Sequence, residues 1–278
     1  MARDLYRMHC AIFIFLKTMI KYECYKTRRM RGLNPDTYVY KYIRLEYLLS
    51  MLRNKKLRVD KVSKWKDPYE NFFMKEEFYT YTSFYQRDIP ISTEEISKRI
   101  YGQSWTLKEE SDAMWRIYSR YSEDKKFNLD EMAIKIKVQV RNLFNLVYTE
   151  DSCMATTSIG EIQYKTTKEI EEWRNNLRCA KIDFLKFSEE CLFMKRDSFQ
   201  HEEEVRIIIS ECTEKIAQEF LEFKIPNIGI FEEYILDPRL NNQEDIDNVV
   251  KLISECGAEK SLISRSSLYD FFPKKIKL

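Results

Sequence analysis

The chain has 278 residues with 47 Lys/Arg against 45 Asp/Glu, a net charge of +2, which excludes a globally basic nucleic-acid footprint. Five Gly and six Pro leave no room for a long flexible linker, and no repeat of period 20–50 is visible. Seven scattered cysteines without a C-x-x-C pair, and two His in all, argue against a zinc site and for reduced thiols in a cytoplasmic protein.

Charge is uneven along the chain. Residues 1–60 carry 14 Lys/Arg and 5 Asp/Glu, leaving the remainder net −7. A basic N-terminal part hints at polyphosphate, nucleotide or nucleic-acid contact. The apolar run Cys10–Leu16 is closed by Lys17, far short of the ~20 residues a membrane span needs, and no small-residue cleavage site follows it. Residues 4–26 read as a helix, residues 1–30 as a basic N-terminal extension with Met30 a candidate start, and residues 31–278 as one domain.

In chain order, Tyr38–Ile43 alternates and is rich in β-formers, so it predicts the first strand. Arg44–Asn54 follows as a helix with Leu45, Leu48, Leu49 and Leu52 on one face, then a short strand at Leu57–Val59 and a turn at Lys66–Pro68. The aromatic and charged stretch 69–84 reads as helical, broken at Ile89–Pro90. Thr93–Ile100 reads as a helix capped by Ser92 with Glu95 completing a capping box. A strand at Tyr101–Thr106 precedes a helix capped by Ser111, with Met114, Trp115 and Tyr118 sharing a face. Further strands are expected at Ala133–Val138, Ile159–Tyr164, 203–209, Phe220–Lys224, Tyr234–Leu236 and Ser261–Ser264, and helices at 166–176, 182–190 and 243–255. Strands and helices without strict alternation predict an α+β fold.

The most informative stretch is Ser198-Phe-Gln-His-Glu-Glu-Glu-Val-Arg-Ile-Ile-Ile209. Three acids run into a β-branched segment, and a period of two would put Glu202, Glu204 and Arg206 on one face. Two carboxylates ~6–7 Å apart on a strand repel unless a cation, metal or arginine lies between them. A solvated strand end with Arg206 as counter-charge is the bland alternative. Three other groups stand beside strands: Lys41-Tyr42 with Arg44, Trp65-Lys-Asp67-Pro-Tyr69-Glu70, and Gln103-Ser104-Trp105 with Glu110–Ser119. Each has an ordinary structural reading too: solvated bases, helix-start chemistry, and core aromatics.

Taken in order, Tyr-Lys-Tyr, Asp-Pro-Tyr-Glu, Met-Trp-Arg-Ile-Tyr-Ser and Phe-x-His-Glu-x-Glu-Val-Arg resemble the bacterial family known as "domain of unknown function 2971", often encoded near mobile elements or defence genes. Ile235-Leu-Asp-Pro-Arg239 and Ser264-Arg-Ser-Ser-Leu-Tyr-Asp270 support the likeness, which spans about residues 38–270. The Asp124-Lys125-Lys126 link departs from the family's glycine-containing turn. The Tyr-Lys-Tyr strand leading into a helix with a Leu-x-x-Met-Leu core is similar, more distantly, to the opening of ADP-ribosyltransferase-type domains. That likeness implies a single α+β domain with a mixed, split sheet and helices packed around it. It also implies NAD as substrate, a protein or nucleic-acid acceptor, and a setting in phage defence or toxin activity.

Residue by residue, the resemblance makes Lys41 or Arg44 the basic element, Ser104 the hydroxyl element and Glu204 or Glu202 the late-strand carboxylate. Tyr42, Trp115 and Tyr118 would stack on nicotinamide or adenine. Glu204 would stabilise oxocarbenium-like charge and Glu202 orient the acceptor. The alternatives are a Mg²⁺-dependent nuclease, with Asp67, Glu70, Glu202 and Glu204 as oxygen ligands, and a non-catalytic binding or regulatory module in which acids and Arg206 form an ion-pair network.

Overall fold

The computed structural model describes residues 29–82, 84–91, 93, 97–120, 129–148, 155–176, 189–211 and 218–276. Expectations for residues 4–26, the Ser92 cap with Glu95, the Asp124–Lys126 link and most of the helix at 182–190 fall outside them.

Tyr38–Arg44 forms β2, and its alternation is visible in the cores it serves: Val39 and Ile43 pack into the main core, while Tyr42 is buried with Trp115 on the other face. The chain passes directly into α1 (Leu45–Asn54), whose Leu45, Leu48, Leu49, Met51 and Leu52 are buried. Lys55 closes it in the left-handed conformation (φ 50°), so its amide meets the last carbonyls of the helix. A ten-stranded sheet runs β1 (Met30–Arg31), β8 (Ala155–Glu161), β11 (Glu204–Glu211), β6 (Ile100–Thr106), β2, β7 (Ala133–Gln139), β13 (Phe231–Leu236), β14 (Ile263–Arg265). A branch adds β3 (Lys56–Lys61) on β6 and β12 (Phe220–Lys224) on β3. β1–β8 and β13–β14 pair in parallel and the remaining pairs of this sheet are antiparallel, so the architecture is a mixed-sheet α+β fold.

One sheet face carries the main core. Val39, Ile134, Ile136, Val138, Val205, Ile207 and Ile209 meet α1, α3 (Val140–Val147) and α4 (Gln243–Glu255) there. Met30 belongs to this core as well, at 6% exposure, and pairs with Ile159 through β1. An extension ending at residue 30 would therefore include a core residue. The other face is covered by α2 (Asp112–Tyr118) and by the stretches around Trp65–Lys75 and Cys191–Glu203.

The sheet is split at its middle. β6 pairs with β11 along its whole length, and β2 pairs with β7 along its whole length. Among the described residues β2 and β6 share only the Tyr40–Thr106 pair, while the far end of the same β6 edge is taken by β3 at Tyr101 and Gly102. Gln103, Ser104 and Trp105 are left facing a gap on that side.

Several elements differ from the sequence expectation. Residues 69–84 are a 3₁₀ turn, Phe72–Lys75, followed by β4 (Phe78–Thr82), because the run Phe-Tyr-Thr-Tyr-Thr favours a pleated surface over a helix. Pro90 does not break the chain; it lies within β5 (Arg87–Ile91), which pairs with β4 in a separate two-stranded ribbon where a missing N–H is tolerated at the edge. Ile100 opens β6 rather than ending a helix. The strand expected at 159–164 is two, β8 and β9 (Gln163–Lys165), since Ile162 N–H bonds Glu204 O while Gln163 N–H turns to Phe193 O. α3 was not anticipated, although Val140, Leu143, Phe144 and Val147 carry the helical spacing.

Gly102 sits where β6 passes under Trp65. A Cβ there would stand 2.6 Å from the Trp65 ring and 2.9 Å from Val62. Gly102→Ala is expected to lower stability by about 1–3 kcal/mol through this overpacking, read as a drop in urea midpoint at unchanged m-value.

Candidate active site

The polar side of β11 is organised by charge. Glu204 and Arg206 share a strand face, as the period of two requires, with Ser104 and Thr106 of β6 opposite them. Glu202 reaches the same region by another route. It ends the 3₁₀ turn Asp197–Glu202, and Glu203 follows in the left-handed conformation (φ 40°), so the expected Glu202–Glu204–Arg206 strand face holds for its last two members only. That kink is held by Leu107 N–H donating to Glu203 O (2.9 Å) and by the Glu203–Lys108 ion pair (2.8 Å).

The cation that the acid pair demands is Lys195 of β10 (Met194–Arg196). Its ammonium contacts Glu202 at 2.6 Å, Glu204 at 2.9 Å and Glu70 at 2.9 Å. Arg206 adds Nε to Glu204 Oε1 (2.7 Å) and Nη2 to Glu70 (2.7 Å), and its guanidinium lies 4.3 Å from the Trp65 ring. The Arg206 side chain is 1% exposed, Glu204 3%, Lys195 8%, Glu70 13% and Glu202 21%, so accessibility rises toward Glu202. Burial alone would raise the Glu204 pKa; Arg206, Lys195 and a hydrogen bond with Ser104 outweigh it and hold the carboxyl down at about 2. Burial opposes the Lys195 charge too, but Glu204, Glu70 and Glu202 override it and raise its pKa.

Beside this network a narrow cleft of about 20 Å³ lies at the sheet split, lined by Tyr40, Lys41, Tyr42, Ser104, Trp105, Thr106, Met114, Tyr118, Glu202 and Glu204. Lys41 reaches across the gap and donates from Nζ to Ser104 O (2.8 Å). Burial pushes its ammonium down to about 8, against the opposing pull of Glu204 and Asp60. Tyr118 stacks on Tyr42 with ring centroids 6.1 Å apart and planes at 19°. Burial, with Glu202 and Glu204 nearby, pushes the Tyr118 hydroxyl up to about 12, so it is a neutral donor at any physiological pH. Tyr164 accepts the Glu204 backbone N–H (2.7 Å) behind the carboxylates.

Of the residues singled out from sequence, Lys41, Tyr42, Ser104, Tyr118, Glu202 and Glu204 therefore line one cleft. Trp115 does not. It is fully buried behind Tyr42, edge-on at 4.7 Å, with Nε1 donating to Glu110, because its place on α2 turns it toward the sheet. Arg44 also lies away from the cleft, near Glu46 at the start of α1. Ser111 occupies the N-cap position of α2, but its side chain makes no cap bond; its backbone N–H donates to the Tyr42 hydroxyl (3.1 Å). Asp67 is apart from the three glutamates, held by Arg196 at 3.1 Å.

This arrangement bears on the metal reading. Glu70, Glu202 and Glu204 do converge, but the point of convergence is filled by the Lys195 ammonium. Among the described residues no group of three or more His, Cys, Asp or Glu side chains is arranged to hold a metal ion. Lys195 and Tyr164 were not anticipated from sequence. The signal for Lys195 was the unmet demand of the acid pair itself, for which Arg206 alone supplies one cation.

No protein-family model matches the chain, so membership of the domain of unknown function family is not supported, and no curated protein matches it either. Solved structures that resemble it include Thermus sp. 2.9 DarT in complex with NAD+, at TM-score 0.36 and 8% identity over 84% of this chain and 98% of that one. The same protein in complex with ADP-ribosylated ssDNA aligns at TM-score 0.36 and 10% identity over 85% and 97%. At this level the likeness assigns no role to any residue here. Among the described residues, no helix is long and apolar enough to cross a membrane.

The charge network makes a stability prediction with a defined sign. Glu204 has a folded pKa below its ordinary 4.5, so its contribution is full above about pH 4.5 and is lost as pH falls toward 2. Lys195→Met leaves three carboxylates with Arg206 as their remaining partner in the network and is expected to cost about 3–5 kcal/mol at pH 7. The penalty should shrink below pH 4, where carboxyl groups protonate. Urea unfolding of both proteins at pH 7 and pH 3.5 checks this; a pH-independent difference would rule it out.

Proposed function

We propose that this chain is an ADP-ribosyltransferase-like enzyme that takes NAD into the cleft at the sheet split. The observation that carries the reading is the gathering of a cation, a hydroxyl, an aromatic pair and two carboxylates, Lys41, Ser104, Tyr42 with Tyr118, and Glu202 with Glu204, around one opening. These are the residue types that the resemblance to ADP-ribosyltransferase-type domains implies at these positions. The cleft as it stands has room for about 20 Å³, the size of one water, so in this reading the nicotinamide–ribose end enters as the Tyr118 wall moves aside and the remainder of the dinucleotide lies along the surface.

In this chemistry the bond between ribose C1′ and the nicotinamide nitrogen breaks and its electron pair leaves with neutral nicotinamide. Positive charge develops on the ribose, and an acceptor nucleophile attacks C1′ and releases its proton. A fixed carboxylate facing C1′ stabilises the developing charge more in the transition state than in the ground state. The geometry supports giving that role to Glu202. Glu204 is spanned by Arg206 and Lys195 and nearly inaccessible, so its charge is already balanced and it serves to fix its neighbours. Glu202 is the more exposed of the two and faces the cleft with Lys195 on Oε2. Tyr118, exposed and backed by the buried Tyr42, suits stacking on the nicotinamide ring, and Lys41 suits a ribose hydroxyl or phosphate oxygen. The acceptor is a protein or nucleic-acid nucleophile, and a toxin or phage-defence setting is what the sequence resemblance implies.

Incubation of purified protein with labelled NAD and cell lysate tests the reading. Glu202→Gln is expected to lower NAD turnover by ~10²–10³ while the fold is retained, and Glu204→Gln to lose both stability and turnover. Absence of turnover with any lysate, alongside Mg²⁺-dependent cutting of DNA or RNA, would overturn it.

The cleft also has its own pH dependence. Lys41 is charged below about 8 and neutral above it, so NAD affinity should weaken as pH rises from 7 to 9. Lys41→Met should bind weakly at both pH values, removing the slope; isothermal titration at the two pH values is the check.

A further inference from the structure

The C-terminal stretch Ser264–Asp270 lies outside the cleft yet is tied to its wall. Ser266 is 4% exposed, its N–H donates to Leu236 O (3.0 Å), and its Oγ donates to Glu110. The same Glu110 Oε1 accepts Trp115 Nε1 (3.0 Å), and Trp115 stands edge-on against Tyr42, on which Tyr118 stacks. One carboxylate oxygen thus joins the C-terminal segment to the aromatic wall. Around it, the Tyr269 hydroxyl donates to Asp112 and accepts from Arg116 (3.2 Å), and Arg239 Nη2 donates to Trp115 O (3.1 Å) while paired with the buried Asp237.

α2 needs such a hold. It has seven residues and no side-chain cap, and a helix of two turns has no independent stability in water. Its placement against β2 is therefore decided by tertiary contacts, and the polar ones come in large part from the C-terminal stretch and the Asp237–Arg239 turn beside it.

We propose that Ser264–Asp270 is a clamp that positions the cleft wall, with Ser266 and Glu110 as positioning residues acting through Trp115 on the Tyr42–Tyr118 pair. Neither residue touches the cleft. Their effect is on where the aromatic pair stands, and loosening the clamp widens the range of positions available to Tyr118. The ligand consequence rests on the NAD reading above, whereas the effect on the wall does not.

The test uses the full chain labelled with 5-fluorotryptophan. The four tryptophans give four fluorine resonances, and Trp115→Phe assigns that of Trp115. Ser266→Ala, which removes the hydroxyl that bonds Glu110, is expected to shift or broaden the Trp115 signal and leave those of Trp65 and Trp173 in place. Glu110→Ala should do the same. Glu110→Gln should restore the signal, because its amide oxygen can accept both hydrogen bonds. Adding Ser266→Ala to Glu110→Ala should produce no further change, since both break one relay. Should Ser266→Ala lower the melting temperature too far, Tyr269→Phe loosens the other end of the clamp and should broaden the same signal. NAD titration then gives the functional arm, with affinity about 2–10-fold weaker in Ser266→Ala, the scale of one lost hydrogen bond. A Trp115 resonance unmoved by Ser266→Ala and Tyr269→Phe overturns the clamp. A resonance that moves in a protein that binds no NAD overturns the NAD reading and leaves the clamp standing.

Discussion

The ammonium of Lys195 is the point on which the polar half of this structure depends. Three carboxylates from two parts of the chain, Glu70 and the neighbouring Glu202 and Glu204, meet on it within 2.9 Å. Removing three negative charges from water is costly, and repulsion among them would be stronger inside than at the surface. Lys195 and Arg206 together bring the cluster close to neutrality. Once that is satisfied, charge and the apolar contacts around it, Met194 of β10, Ile208 of β11, Trp65 and Tyr69, hold β10, β11 and the Trp65–Glu70 stretch together. Trp65 completes the arrangement by lying over both Gly102 and the Arg206 guanidinium.

The network divides labour between two neighbouring glutamates. The left-handed residue Glu203 lets the chain change direction between them, so Glu202 and Glu204 do not lie on one strand face as alternation would have it. Glu204 is drawn inward to Arg206 and Glu202 stays at the cleft, both tethered to one ammonium. A structural ion-pair network and a reactive-looking carboxylate are here parts of the same object. A carboxylate available to a ligand requires a neighbour that takes up the counter-charge, and the depressed pKa of Glu204 is the physical record of that.

The cleft itself is a consequence of sheet topology. β6 cannot follow β2 beyond Thr106 because β3 claims the other end of its edge. The freed edge is met by a side chain, Lys41, whose ammonium takes the Ser104 carbonyl and loses basicity through its burial. Two different physical demands, the unpaired strand edge and the converging carboxylates, thus place a cation and an acid on opposite sides of one opening.

Much of the fold was legible from local pattern. The alternation of Tyr38–Ile43, the leucine stripe of α1 and the acid-to-β-branched switch before β11 are signals that a chain carries in its own periodicity, and the structure follows them. Six of the residues singled out as a site stand together in the cleft, since polar groups beside strand ends are where sheet edges open. What sequence order could not carry was the pairing of distant segments. Lys195 lies in a three-residue strand after an apolar run, and nothing local distinguishes it from a solvated base. Trp115 and Tyr118 look equivalent on a helical wheel, yet packing on β2 buries the first and leaves the second at the cleft. Within the stretch expected as a helix, Phe78–Thr82 went to a β-ribbon because aromatic and threonine residues gain from a pleated surface that only a partner strand supplies. Local composition determined which residue types were available. Long-range charge compensation and edge pairing, which have energies only in the folded chain, decided which of them meet.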